Sequence, residues 1–277
     1  MPSLQEDAAG LRGPRYAEIV PGPALAPWVE CYWSIRATCP GAVPNRVLPD
    51  GCVDLIVGVD GARPFVVGTM RAAVVFPLAG RVDLFGVRFR PGGAAALLDL
   101  PLVELTDLRV PLEEIWGPAA GVLGDAVEPG SLGARASRAE AVLRARLGGW
   151  RERADELLAR QAVALLRRAR GGVGVRELAA ALGVGERRLE RAFGQAVGLG
   201  PKAFARVLRF RRAVDAVQRG RAAGGESGWA ALAAETGYAD QSHLIREFRA
   251  LSGLTPVAYA AERRAVGFVQ YGDAAEG

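Results

Sequence analysis

Few side chains in this sequence can do covalent or metal chemistry. It contains one histidine, His243, and three cysteines, Cys31, Cys39 and Cys52, spread over 21 residues. A single histidine excludes a histidine-based catalytic or metal centre in the first half. Three thiols spaced too widely for a CxxC knuckle fit reduced, structural cysteines better than a disulfide framework. Asp50, Asp54, Glu104 and Asp107 offer paired carboxylates for a hydrolase or transferase, but acids beside glycine and proline usually form turns. Gly92-Gly93 opens a helical run and can hold an anion there, but it lacks the lysine and Ser/Thr of a phosphate loop. The expectation is a protein that is not an enzyme and carries no cofactor or metal.

The remaining chemistry belongs to arginine. The formal net charge of +5 divides unevenly, with −2 on residues 1–150 and +7 on residues 151–277. A basic second half is the electrostatic footprint expected of a unit that meets phosphates.

The elements that must position those arginines are written twice. Glu177 to Phe193 reads ELAAALGVGERRLERAF, and Ala231 to Phe248 reads ALAAETGYADQSHLIREF. Each copy predicts a helix ending at a glycine, a short turn, and a second helix with Leu, Arg and Phe at matched positions, the second turn being one residue longer. Small Ala179 and Ala233 let the helices cross closely, and Gly183 and Gly237 take the left-handed conformation that stops a helix. Leu189 with Phe193, and Leu244 with Phe248, are four apart and share the buried face. The opposite face carries Glu186, Arg187, Arg188 and Arg191 in the first copy, and Asp240, Gln241, Ser242, His243 and Arg246 in the second, with packing beside Phe248 the equal alternative for His243. These types suit base edges and phosphates.

Between the copies, Pro201 to Gln218 predicts one helix with proline in its first turn, spanning about 25 Å at 1.5 Å per residue. Lys202, Arg206 and Arg209 lie on it as candidate DNA contacts, and Arg206, Arg209 and Arg212 face either phosphates or else solvent and acids. The separation is comparable with the roughly 34 Å between successive major-groove faces, so one chain can read two adjacent segments.

At 277 residues the chain predicts two folding units. The fold class expected is α+β overall, with a β-rich α+β domain followed by an all-α domain holding two helix-turn-helix motifs. Short β-rich runs at 47–48, 52–59, 65–67 and 82–89 predict a compact antiparallel sheet or barrel. Helical runs follow at 94–98 and around 112–123. The expected division is 1–125 for a sensor or dimerisation domain, 126–168 for linker and connecting helices, 169–264 for the DNA-binding domain and 265–277 for a tail. No apolar run reaches the roughly 18 residues of a membrane span, and the acidic start MPSLQEDAAG is unlike a signal peptide. The expected setting is cytoplasmic, without membrane partners.

Residues about 171–262 resemble the DNA-binding domain of the AraC/XylS family. The resemblance rests on Arg188-Leu189-Glu190-Arg191-Ala192-Phe193, Gly198-Leu199-Gly200-Pro201-Lys202-Ala203-Phe204, Gly237 to Leu244 with Phe248, and Gly253-Leu254-Thr255-Pro256. Gly185 replaces a serine often found at the start of the first recognition helix, and Leu244 a phenylalanine often found after Ser-His. The resemblance implies a transcription activator or repressor whose partners are double-stranded DNA and, for an activator, RNA polymerase. Cys31-Tyr32-Trp33, Leu48 to Ile56 and Phe85 to Gly92 resemble the sensor-type domain that precedes this unit in many members, which implies a small-molecule effector or dimerisation. Trp33 and Arg88 are the candidate effector residues, within an aromatic set of Trp28, Tyr32, Trp33, Phe65, Phe85 and Phe89. The apolar helical stretch 139–166 suits either a homodimer or burial within the monomer. The alternative is a DNA-repair regulator with cysteine-based zinc and methyl-acceptor chemistry, for which a closed zinc site needs four ligands.

Overall fold

In a computed structural model of the chain, residues 14–58, 63–127, 129–220 and 225–266 are described. Val59 and all but two residues of the expected tail lie outside them.

Strands β1 (Arg15–Ile19), β2 (Val29–Val47), β3 (Val53–Gly58), β4 (Phe65–Val67), β5 (Val74–Phe89) and β6 (Arg109–Pro111) form one sheet in the order β1-β2-β5-β3-β4-β6. Every neighbouring pair is antiparallel. Two-residue alternation sends Val53, Leu55 and Val57 of β3, with Phe85, Val87 and Phe89 of β5, into one core. Cys31, Trp33 and Ile35 of β2 point to the other face. β2 and β5 extend well beyond the runs predicted from sequence. Their outer parts contain Pro44 opposite Pro77, and a register shift between Cys39 and Val43 absorbs the Pro-Gly pair that reads as a turn.

The sheet's main core is closed by α1 (Ala95–Leu98), a 3-10 turn (Leu102–Leu105), α2 (Leu112–Trp116), α3 (Ala119–Ala126) and α4 (Leu132–Leu147). The single run expected over 112–123 is broken where Gly117 takes φ 58°, just before Pro118. Helix α4, read as a linker, packs Ala136, Ala139 and Leu143 into this core. Its fully buried Arg135 forks Asp83 of β5 at 2.6 and 2.8 Å.

The second half has two apolar cores threaded by one helix. α5 (Ala154–Arg168), α6 (Val175–Ala181) and α7 (Glu186–Val197) share the first with Phe204, Ala205 and Val207 of α8 (Pro201–Gln218). α9 (Gly225–Thr236), α10 (Gln241–Ser252) and α11 (Pro256–Val266) share the second with Phe210, Ala213 and Val214 of α8. The stretch 139–166 is thus divided between two cores of the same chain, and Ala139, Leu143, Leu158, Ala162, Val163 and Leu166 are all buried.

Candidate nucleic-acid interface

The duplicated pattern becomes two helix-turn-helix units. Leu189 and Phe193 of α7, and Leu244 and Phe248 of α10, are fully buried. Ala179 and Ala233 lie beneath them, 2% and 1% exposed. Gly183 and Gly237 adopt φ 66° and 85° at the turns, a conformation that costs a side chain about 1–2 kcal/mol. The copies start their second helices differently. Asp240 caps α10 by accepting from the His243 amide at 2.6 Å, whereas Gly185 gives α7 no side-chain cap.

The exposed faces differ from the sequence expectation in how many cations are free. On α7, Glu186, Arg187, Arg188 and Arg191 are exposed. Arg188 donates to Asp155 of α5 from Nε and Nη2 at 3.2 and 3.1 Å, and Arg191 lies 3.6 Å from the same carboxylate. Among the described residues Arg187 has no ion pair. Exposed pairs of this kind are weak and exchange readily for phosphate.

On α10, Ser242 and Arg246 are exposed and Gln241 is half-buried. Asp240 is spent on the cap. His243 stacks edge-on against Tyr238 with centroids 5.3 Å apart, and its Nδ1 accepts from the Ala239 amide at 3.4 Å. It therefore packs the turn instead of projecting from the helix. Arg249, absent from the sequence expectation, is exposed one turn beyond Arg246. Ser242, Arg246 and Arg249 stand at i, i+4 and i+7, one stripe of a helix; that spacing is the signal that identifies Arg249.

The connecting helix departs furthest from expectation. Arg206 forks Glu247 of α10 at 2.7 and 3.0 Å. The hydrogen bonds raise the Arg206 pKa and hold the Glu247 carboxyl below its usual range. Arg209 donates to the Gly171 carbonyl at 2.6 Å, and Arg212 donates to the Glu235 carbonyl. These three arginines tie helices together, Arg206 and Arg212 binding α8 to the second unit and Arg209 binding it to the turn between α5 and α6. Lys202 alone of the predicted set on α8 is exposed.

The first domain gives the aromatic set a packing role. Trp33 is 4% exposed, donates its indole N–H to Asp54 at 2.8 Å, and lies over Gly86, where a Cβ would come within 2.0 Å of its ring. Arg88, also buried, stands 3.2 Å from Asp54 and 3.5 Å from Asp50. Its charge is balanced inside the protein, so both expected effector residues, Trp33 and Arg88, make their polar contacts to Asp54 and Asp50 within the first domain. Burial pushes the Cys31 thiol up to about 12 and the Cys52 thiol well above its ordinary value, which opposes the thiolate that zinc ligation or methyl transfer requires. Among the described residues no three His, Cys, Asp or Glu side chains cluster to hold a metal, and no helix is long and apolar enough to cross a membrane.

Two family models match the chain. One, described as a helix-turn-helix domain, covers residues 178–262; the other, a domain of unknown function (DUF6597), covers residues 17–111. No curated protein matches. Among solved structures, ToxT from Vibrio cholerae O395 is 8% identical with a TM-score of 0.40, covering 90% of this chain and 96% of that one. ToxT bound to (E)-4-(8-methylnaphthalen-1-yl)but-3-enoic acid is 11% identical with a TM-score of 0.41, covering 90% and 98%.

Proposed function

We propose that this chain, whose residues 178–262 are an AraC-type helix-turn-helix DNA-binding domain, is a sequence-specific transcription regulator governed through its first domain. The observation that carries this reading is the exposed polar and cationic stripe on each second helix: Arg187, Arg188 and Arg191 on α7, and Ser242 with the cations Arg246 and Arg249 on α10. Arginine forks guanine edges, serine bonds to bases or phosphates, and a helix of this width enters the major groove.

Selection of duplexes from a random pool by the full chain, with affinity followed against salt, tests it. The expected result is a motif of two short half-sites about one helical turn apart and a steep salt slope. Failure to enrich any sequence would sink the reading.

Control by a small-molecule effector is the finer part of the proposal. It is supported by the seating of the first domain against both helix-turn-helix units: Thr106 Oγ1 donates to the Gly198 carbonyl at the end of α7, the Ala73 amide donates to the Leu251 carbonyl at the end of α10, and an open cleft of about 160 Å³ between the first domain, α5 and α7 is lined by Asp99, Arg153, Asp155 and Gln195. A ligand that moves the first domain therefore acts on the reading helices. The expected effector shifts operator affinity in the full chain. As an activator the protein would engage RNA polymerase in a cytoplasmic setting; neither catalysis nor a cofactor is part of the proposal.

A further inference from the structure

At the end of β2, after Arg46-Val47, the segment Leu48-Pro49-Asp50-Gly51 leaves the sheet and packs against the other domain. Leu48, 3% exposed, lies in the second helix-turn-helix core with Phe210, Leu244 and Phe248. Gly51, at φ 79°, faces Phe204 of the first unit so closely that a Cβ would come within 2.4 Å of the ring. Asp50 stiffens the turn by accepting from the Cys52 amide at 2.9 Å and standing 3.5 Å from Arg88. One short turn thus touches both units where α8 joins them.

Arg46 completes the contact. It forks Glu262 of α11 at 2.7 and 3.0 Å, and its Nη1 donates to the Ser252 carbonyl at 2.9 Å. The Ala73 amide, also from the first domain, donates to the Leu251 carbonyl at 2.7 Å. These carbonyls belong to the last turn of α10, where no helical amide can reach them. The end of α7 is treated alike. It stops at Gly198 as α10 stops at Gly253, both left-handed, and Thr106 donates to the Gly198 carbonyl at 2.5 Å. Both recognition helices therefore receive hydrogen bonds at their carboxy-terminal ends from the first domain.

We propose that Arg46 is a positioning residue for DNA reading: with Leu48 it holds α10 at a fixed orientation to α7, so that the two half-sites are engaged together only while the first domain is seated. The proposal rests on the DNA-reading function above. Two linked readers gain affinity from each other only when their geometry matches the site, and freedom at one of them lowers apparent affinity by the fraction of time it is misplaced.

The test uses full-length Arg46→Ala and Glu262→Gln with the duplex that the wild-type chain selects from a random pool. Affinity for the two-half-site duplex is expected to fall by about tenfold, with protection lost over the half-site read by α10 and kept over that read by α7. Hydrogen exchange should quicken in residues 244–252 and stay unchanged in 186–197, and the swapped pair Arg46→Glu with Glu262→Arg should recover part of both. Unchanged affinity and exchange, tighter binding, or equal loss at both half-sites in a folded variant overturns it. If Arg46→Ala does not fold, Glu262→Gln decides. If the wild type selects no duplex, DNA reading itself fails, and exchange in α10 still decides whether the clamp exists.

Discussion

Arg206 on α8 and Glu247 on α10 meet as a two-bonded pair at 2.7 and 3.0 Å, although the arginine is the kind of residue a sequence reading assigns to phosphate. Arg249, two residues beyond Glu247, faces solvent. Arg206→Ala is expected to lower stability by about 1 kcal/mol, since the pair is only part-exposed and charge-assisted. Arg249→Ala is expected to leave stability within about 0.5 kcal/mol and to reduce the salt slope of DNA binding by about one. Urea unfolding and a salt titration of each variant check the contrast. A reduced slope in Arg206→Ala with unchanged stability would reverse the assignment.

Asp155 holds Arg188 and Arg191 from the neighbouring helix. Asp155→Ala frees two cations and removes a negative charge beside them. Non-specific DNA affinity should rise, the salt slope should steepen by about one or more, and discrimination between selected and random duplex should fall. Parallel titrations with the two duplexes measure this, and an unaltered ratio would mean that Asp155 does not orient these side chains.

Gly183 and Gly198 both have left-handed backbones, at φ 66° and 86°, but different surroundings. A Cβ on Gly183 meets nothing within 4 Å, whereas one on Gly198 would stand 2.2 Å from Thr69 Oγ1 and 3.0 Å from the Leu102 carbonyl. Gly183→Ala should therefore cost only the conformational strain, about 1–2 kcal/mol. Gly198→Ala should cost at least about 1 kcal/mol more and loosen the first domain from α7. Equal melting points for the two variants would contradict the contact.

Asp83 is the partner of the fully buried Arg135. Burial opposes the charged carboxylate, but Arg135 and Arg36 outweigh it and the Asp83 pKa is lowered. A carboxyl whose folded pKa lies below its unfolded value contributes stability that is complete above the unfolded pKa and disappears as pH falls through the folded one. Stability should thus decline across the acidic range below the ordinary aspartate value. Asp83→Asn should remove that part of the decline and cost about 3 kcal/mol at neutral pH, because it strands a buried guanidinium. Unfolding curves from neutral to acidic pH for both proteins test the sign.

Sequence by itself determined the parts of this protein that local periodicity controls. The repeat places Leu189, Phe193, Leu244 and Phe248 in the core, and Pro201–Gln218 is one helix with the predicted bounds, because helix stops and i, i+4 spacing are encoded within a few residues. The β-rich character of the first domain follows from its alternating runs. The full length of β2 and β5 does not, because prolines and glycines that signal a turn in isolation are tolerated once a bulge and a partner strand are present.

Only the tertiary structure decided which cations are available and which are spent. Arg188 finds its acid 33 residues away, Arg206 at 41 and Arg46 at 216, separations over which no sequence pattern constrains a pair. It also decided that Leu48 serves a core in the other domain. An ion pair or a buried plug depends on where distant backbone segments meet, and that is set by the packing of whole elements, whereas the pattern that makes each element is local.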